Sequence, residues 1–151
     1  QDDNLMPKNY GVENVASDQS RRTPVMIHRA IYGSIERFMA ILLEHHKGHL
    51  PFWLSPVQAR ILVITDAQRD YAKTIAEALR ADKIRVEIDT TGDQISAQIR
   101  RAQTEKVPWM LVLGKKEQEN NTITLRHASG KQEFGVSLEK IREWARELAK
   151  A

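Results

Sequence analysis

Residues 59–113 read ARILVITDAQRDYAKTIAEALRADKIRVEIDTTGDQISAQIRRAQTEKVPWMLVL, and the architecture follows from their rhythm. Ala59–Thr65 is an apolar run of strand length. Asp66 stands where an N-cap belongs, ahead of Tyr71, Ile75, Ala78 and Leu79 at helical spacing. Ile84–Ile88 reads as a second strand, with Val86 and Ile88 inward and Arg85 and Glu87 outward. Asp93 stands as the cap of a helix carrying Ile95, Ile99 and Ala102. Trp109–Leu113 is nearly all apolar, as a central strand covered on both faces should be. Beyond it, Glu119–Asn121 is a turn, and Thr122–Arg126 alternates with period two, as an edge or antiparallel strand does. Ser129–Lys131 is a second turn, and Lys131–Val136 returns as a strand. Ser137 caps a last helix with Leu138, Ile141, Trp144 or Ala145, and Leu148 inside. The order β-α-β-α-β, hairpin, α predicts parallel strands with right-handed crossovers plus antiparallel pairing. The fold class is therefore α/β: a three-layer domain with a mixed sheet of about five strands and three helices.

Upstream the pattern changes. Residues 1–22 lack periodicity and read as loop. Pro24–Ile27 reads as a short buried strand. Ile31, Ile35, Phe38, Met39, Leu42 and Leu43 form a helical stripe, which Gly48 and Pro51 stop. Phe52–Pro56 reads as an extended linker, because proline disfavours helix in the residue before it. The expected division is 1–50, a linker at 51–58, and a domain at 59–151.

The chain has 151 residues, 41% apolar and 28% charged, which suits a globular protein. No apolar run approaches a membrane span, and no membrane partner is expected. The first residues lack both an initiator Met and the layout of a signal peptide, so an excised piece of a longer chain is expected. The absence of cysteine rules out disulfides within the chain, and it fits a reducing, cytoplasmic setting. Net charge is +3; residues 1–58 hold six Lys/Arg and six Asp/Glu, so the excess lies in the second part. That is mild for a nucleic-acid binder, and it permits a polyanionic partner without demanding one.

Several side chains in TPVMIHRAIYGSIERFMAILLEHHKGHLPFWLSP, residues 23–56, invite chemistry. His28 is a structural histidine at a strand end or a metal ligand, but one histidine cannot make a zinc site. His45 and His49 share a helical face, yet Gly48 intervenes and no acidic ligand is near; they and His46 read as solvated residues at the negative end of a helix. Gly33-Ser34 sits at a helix start, which either receives an anion or simply begins the helix. Arg37 is a surface partner of Glu36 or a guanidinium offered to a phosphate or base.

Taken together, HRAIYGSIERF, the helix behind it and the FWLSPVQ segment resemble the threonyl-tRNA synthetases, class II aminoacyl-tRNA synthetases. The Gly-x-x-x-Arg step is similar to their third motif. The likeness continues through ITDAQRDYA, IRVEID, QIRRAQ, VPWMLVLGKKE and TLRHASGK, over roughly residues 21–150. It implies a ligase that attaches threonine to its tRNA at the expense of ATP, with magnesium, as a homodimer.

Under that resemblance His28 corresponds to one of three zinc ligands, the other two being a Cys and a His absent here. The zinc would take the threonine amino and hydroxyl groups; a site built to bind a hydroxyl rejects the analogue lacking it. Ser34 corresponds to a residue of the threonine pocket. Arg37 corresponds to the arginine that stacks on the adenine of ATP, a face that suits a planar cation. The first two motifs are not found, so residues 1–50 are expected to be the end of a catalytic domain, one wall of a site, inactive alone. Zinc and ATP are not expected to bind this chain tightly.

Residues 59–151 resemble the family's anticodon-binding domain, which implies a threonine tRNA as partner. Arg100, Glu117 and Arg126 correspond to positions that contact the anticodon. Arginine offers two donors to a guanine edge, and a carboxylate accepts from a base N–H. Arg101, Lys115 and Lys116 read as phosphate-side or solvated. There is one departure: Gly92 stands where the family has a base-contacting Asn, and Gln98 where it has a Lys. Two other readings compete: a stand-alone anticodon-binding module acting as an RNA-binding accessory, and a small nucleotide-binding domain. The second lacks a glycine-rich loop after the first strand.

Overall fold

The computed structural model describes residues 2–150. Two compact units are present, one ending at Leu42 and one beginning at Leu43.

In the first unit, strand β1 (Asp2–Asp3) pairs antiparallel with β4 (Met26–Ile27). Between them lie helix α1 (Leu5–Asn9) and a small hairpin of β2 (Asn14–Val15) and β3 (Arg21–Arg22). The loop expected over 1–22 is thus partly structured. Its signals are local rather than periodic: Asp3 Oδ1 accepts from the Leu5 and Met6 amides, both at 2.9 Å, and starts the helix. In the turn of the hairpin, Asp18 accepts from Ser20 and pairs with Arg22 at 2.6 Å.

The buried strand expected at Pro24–Ile27 shrinks to two exposed residues, because no second layer covers it among the described residues. Helix α2 (Ile35–His45) starts at Ile35 rather than Ile31, capped by Ser34, whose Oγ accepts from the Arg37 amide. Its apolar stripe is uncovered: Ile35 is 61% and Met39 54% exposed. Gly48, in the left-handed region at φ +77°, ends the helix by donating to the Leu43 carbonyl.

The second unit opens with a 3-10 turn, Phe52–Leu54, in place of the extended conformation expected. Proline restricts the residue before it, but Pro51 itself precedes the turn, where no amide hydrogen is needed. Phe52 is buried with its ring 4.6 Å from that of Trp109. The Gln58 side chain donates to the Phe52 carbonyl and accepts from the Arg85 amide, and Arg85 donates to the Trp53 and Ser55 carbonyls.

Then follow β5 (Ala59–Val63), a 3-10 turn at Asp66–Gln68, α3 (Arg69–Ala81), β6 (Val86–Ile88), α4 (Ile95–Thr104) and β7 (Trp109–Leu113). The chain continues through α5 (Lys115–Glu119), β8 (Thr122–His127), β9 (Gln132–Ser137) and α6 (Leu138–Ala149). The sheet order is β6-β5-β7-β8-β9; β5 runs parallel to β6 and β7, and the β7–β8 and β8–β9 pairs are antiparallel. The mixed five-stranded sheet and the central place of β7 agree with the sequence reading.

Side chains alternate across the sheet. Ile61, Leu111, Ile123 and Leu125 pack with Ile75 and Leu79 of α3 and Ile141 and Ala145 of α6. Leu62 and Met110 pack on the other face with Ala102 of α4. Burial of each large side chain contributes about 1.5–3 kcal/mol. The helix α5 was not expected. Two caps differ as well. Asp66 lies inside the 3-10 turn and pairs with Arg69 at 2.8 Å. Asp93 gives its carboxylate to Arg101 at 3.1 Å, since a guanidinium is a stronger partner than a helix amide. On α3 the buried face includes Ala72 and Ala76, while Ala78 is half-buried; on α6, Leu148 is 46% exposed. Ser137 does cap α6, accepting from the Lys140 amide.

Candidate nucleic-acid interface

The α4 side of the sheet is only partly covered. Helix α4 packs over β5, and α5 lies against β8. On this side β8 places Thr124, itself buried, and the half-buried Arg126, whose side chains alternate with those of Ile123 and Leu125.

Arg126 stands opposite Met110 on β7 and Gln132 on β9. It is half-buried, and its Nε is buried with no hydrogen-bond partner among the described residues. A buried donor left without a partner is uncommon in a folded protein.

Glu117 lies on α5 as the third helical residue. Its Oε2 accepts from the Gly114 amide at 3.1 Å, and its Oε1 accepts from Thr124 Oγ1 at 3.0 Å. The carboxylate therefore closes the first turn of α5 and joins that helix to β8. Glycine suits position 114 because a Cβ there would lie 2.9 Å from Glu117 Oε2 and 2.8 Å from Ile64 Cδ1. Burial, and next the Glu117 charge, push the phenol of Tyr71 up; its hydroxyl donates to the Thr122 carbonyl.

Arg100 is exposed on α4. Its flank follows from the helix itself. Arg101 reaches Asp89 at the end of β6, and Glu105 reaches Arg60 on β5, so that side of α4 faces β6 and β5. At about 100° per residue Arg100 stands away from the buried Gln98 and Ala102 of the same helix, and it faces solvent. Of the three predicted contact residues, Glu117 and Arg126 thus share one side of the sheet, Glu117 through its bond to Thr124 on β8, while Arg100 stands on the outer face of α4.

Arg101, read as solvated or phosphate-side, is instead committed to the fold: it donates to Asp89, Thr91 and Asp93. Burial would push the Asp89 carboxyl up, but hydrogen bonds from Thr91 and Arg101 outweigh it and hold it below the usual range. Gly92, at φ +73°, is exposed in that loop. Gln98 is buried and donates to the Val63 and Asp93 carbonyls, tying the loop to β5. Lys115 and Lys116 are exposed on α5. Sequence reasoning passed over Thr124, which holds Glu117, and Phe134, an exposed ring on β9. No pattern in the chain marks the first; an aromatic outside the inward register of β9 marks the second.

In the first unit, Ser34 Oγ donates to Glu36 Oε2 at 2.8 Å, and a helix-start role accounts for it. Arg37 is exposed. His28 lines a shallow pocket with Asp3, Met6 and Met26. In the second unit, the rings of His45 and His46 meet edge to face at 4.9 Å. Among the described residues no group of three His, Cys, Asp or Glu converges to hold a metal, so these residues do not by themselves fit a zinc site.

The protein family described as "Anticodon binding domain" matches residues 58–148. A threonine–tRNA ligase catalytic subunit of Sulfurisphaera tokodaii is 49% identical over 134 residues, covering 89% of this chain and 25% of that protein. A threonine–tRNA ligase of Burkholderia mallei is 46% identical over 146 residues, 93% of this chain and 23% of that one. The solved RNA-binding domain of threonyl-tRNA synthetase from Cryptosporidium parvum superimposes with a TM-score of 0.73 at 35% identity, over 98% of this chain and 38% of that chain. The chain spans about a quarter of the length of these curated relatives.

Proposed function

Since the chain belongs to the anticodon-binding-domain family, in the form that threonyl-tRNA synthetases carry, we propose that it reads the anticodon loop of a threonine tRNA. It does so as part of an ATP-dependent ligase that attaches threonine to that tRNA. The observation that carries the reading is that Glu117, joined to β8 through Thr124, and the half-buried Arg126 share one partly open side of the sheet. A guanidinium offers paired terminal donors to the acceptors of a base edge.

In this reading Arg126 and Arg100 bind the loop, and Glu117 holds α5 in place while leaving acceptor capacity toward a base N–H. Lys115 and Lys116 meet phosphates. Residues 1–50 supply one wall of the threonine and ATP site in the whole ligase, with Ser34 and Arg37 facing the substrates and His28 facing zinc. His28 alone makes no zinc site among the described residues. The whole ligase acts as a homodimer in the cytoplasm. No helix among the described residues is long and apolar enough to cross a membrane. Identity to the ligases extends over 134 residues, beyond the 58–148 of the anticodon-binding family, which favours this reading over a stand-alone module.

The test is a titration of the 151-residue chain with a threonine anticodon stem-loop and with the same loop carrying its second and third anticodon bases exchanged. The cognate loop should bind more tightly, with affinity falling as salt rises. Equal affinity for the two loops overturns the reading.

A further inference from the structure

We infer that Phe134 stacks an unpaired base of the bound RNA beside Arg126. The inference rests on the anticodon reading above and adds to it a residue that the resemblance does not assign.

Phe134 is 73% exposed on β9, an edge strand of the sheet. An apolar ring in water is unfavourable, and on an edge strand it invites aggregation. Its position comes from a bulge. Ile123 pairs with Val136 and Leu125 with Glu133, so Thr124 alone opposes both Phe134 and Gly135. Gly135 is in the left-handed region at φ +67°, which glycine tolerates and other residues resist. Val136 belongs to the α3–α6 core, so by alternation the bulge turns Phe134 to the other side, the side of Thr124 and Arg126.

Arg126 is paired with Gln132, so Phe134 is its diagonal neighbour, about 7–8 Å away between Cβ atoms. A base laid on the ring would present its edge toward the guanidinium. The surroundings select the occupant. The start of α5, which lies against β8, carries Lys115 and Lys116, and the face itself carries Arg126, all cations. Glu117 is held by Gly114 and Thr124. An aromatic ring among cations fits single-stranded nucleic acid, where stacking and phosphate attraction combine.

Phe134→Ala should weaken binding of the cognate and the exchanged stem-loops by the same factor, about tenfold, because every base has a face to stack. Phe134→Tyr should bind as the wild type does. A 2-aminopurine in the loop should be quenched on binding to the wild type and not on binding to Phe134→Ala. Unchanged affinity in Phe134→Ala, equal loss in Phe134→Tyr, or a change in oligomeric state alone would each overturn the inference. Failure of the anticodon reading shows separately, as equal binding of the two loops by the wild type; no binding of either loop sinks both.

Discussion

Glu117 Oε1 accepts a hydrogen bond from Thr124 Oγ1 at 3.0 Å, so a residue expected to face RNA is held by the adjacent strand. With its other oxygen on the Gly114 amide, one carboxylate both caps α5 and positions it. Glu117→Ala removes both bonds and should cost about 1 kcal/mol of stability, as loss of a helix cap does. Urea denaturation measures this. Thr124→Val keeps the shape of the strand residue and cuts only the link to Glu117. It should weaken stem-loop binding while leaving the melting temperature within a few degrees.

Arg126→Ala should lower affinity for the cognate stem-loop by about 1–3 kcal/mol and leave the exchanged loop nearly unchanged. The two titrations in parallel check it. A uniform loss would instead mark Arg126 as a phosphate contact.

The guanidinium of Arg60, 9% exposed, meets Glu87 at 2.8 Å and Glu105 at 2.6 Å, joining β5 to β6 and α4. Either carboxylate alone, about half-exposed, is worth about 1 kcal/mol or less. Removing both in Glu87→Gln/Glu105→Gln leaves a buried cation uncompensated and should cost about 3 kcal/mol, more than the two single losses combined. Chemical denaturation of the two single variants and the double variant tests that non-additivity.

Asp82, at the end of α3, accepts from Arg142 and Arg146 of α6, and those bonds hold its carboxyl at about 2, from an ordinary 3.8. A depressed folded value means that the stabilisation is complete above the unfolded value and fades as pH falls from about 4 toward 2. Asp82→Asn should therefore be less stable than the wild type at pH 7, and the gap should narrow as pH falls from about 4 to 2. Thermal melts across that range check the sign; a gap that widens in acid contradicts it.

How far the sequence carried depends on the kind of signal. Residues 59–113 alternate strands and helices with clear periods, and the sheet they predict is the one observed, because burial on two faces leaves its mark on every second or fourth residue. Ser137 caps α6 as expected because its hydroxyl has no stronger partner nearby. Asp66 and Asp93 looked equally good as caps, but each found an arginine three or eight residues on. Residues 1–22 failed because two-residue strands carry no period. Phe52 looked like linker because prolines flank it, while its burial depends on Trp109, 57 positions away.

By itself, then, the chain determined the α/β order and the central place of β7, while Arg100, Glu117 and Arg126 became candidates only through the resemblance to the synthetases. Periodicity and residue chemistry are local properties that survive without coordinates. Only the tertiary structure separated Arg100 from its neighbour Arg101, by leaving one exposed and giving the other to Asp89. It likewise showed Glu117 bonded to Thr124, the Arg126 Nε without a partner, and Phe134 turned outward by the Gly135 bulge. Those outcomes depend on which side chains meet across strands and helices far apart in sequence, and that is settled by packing.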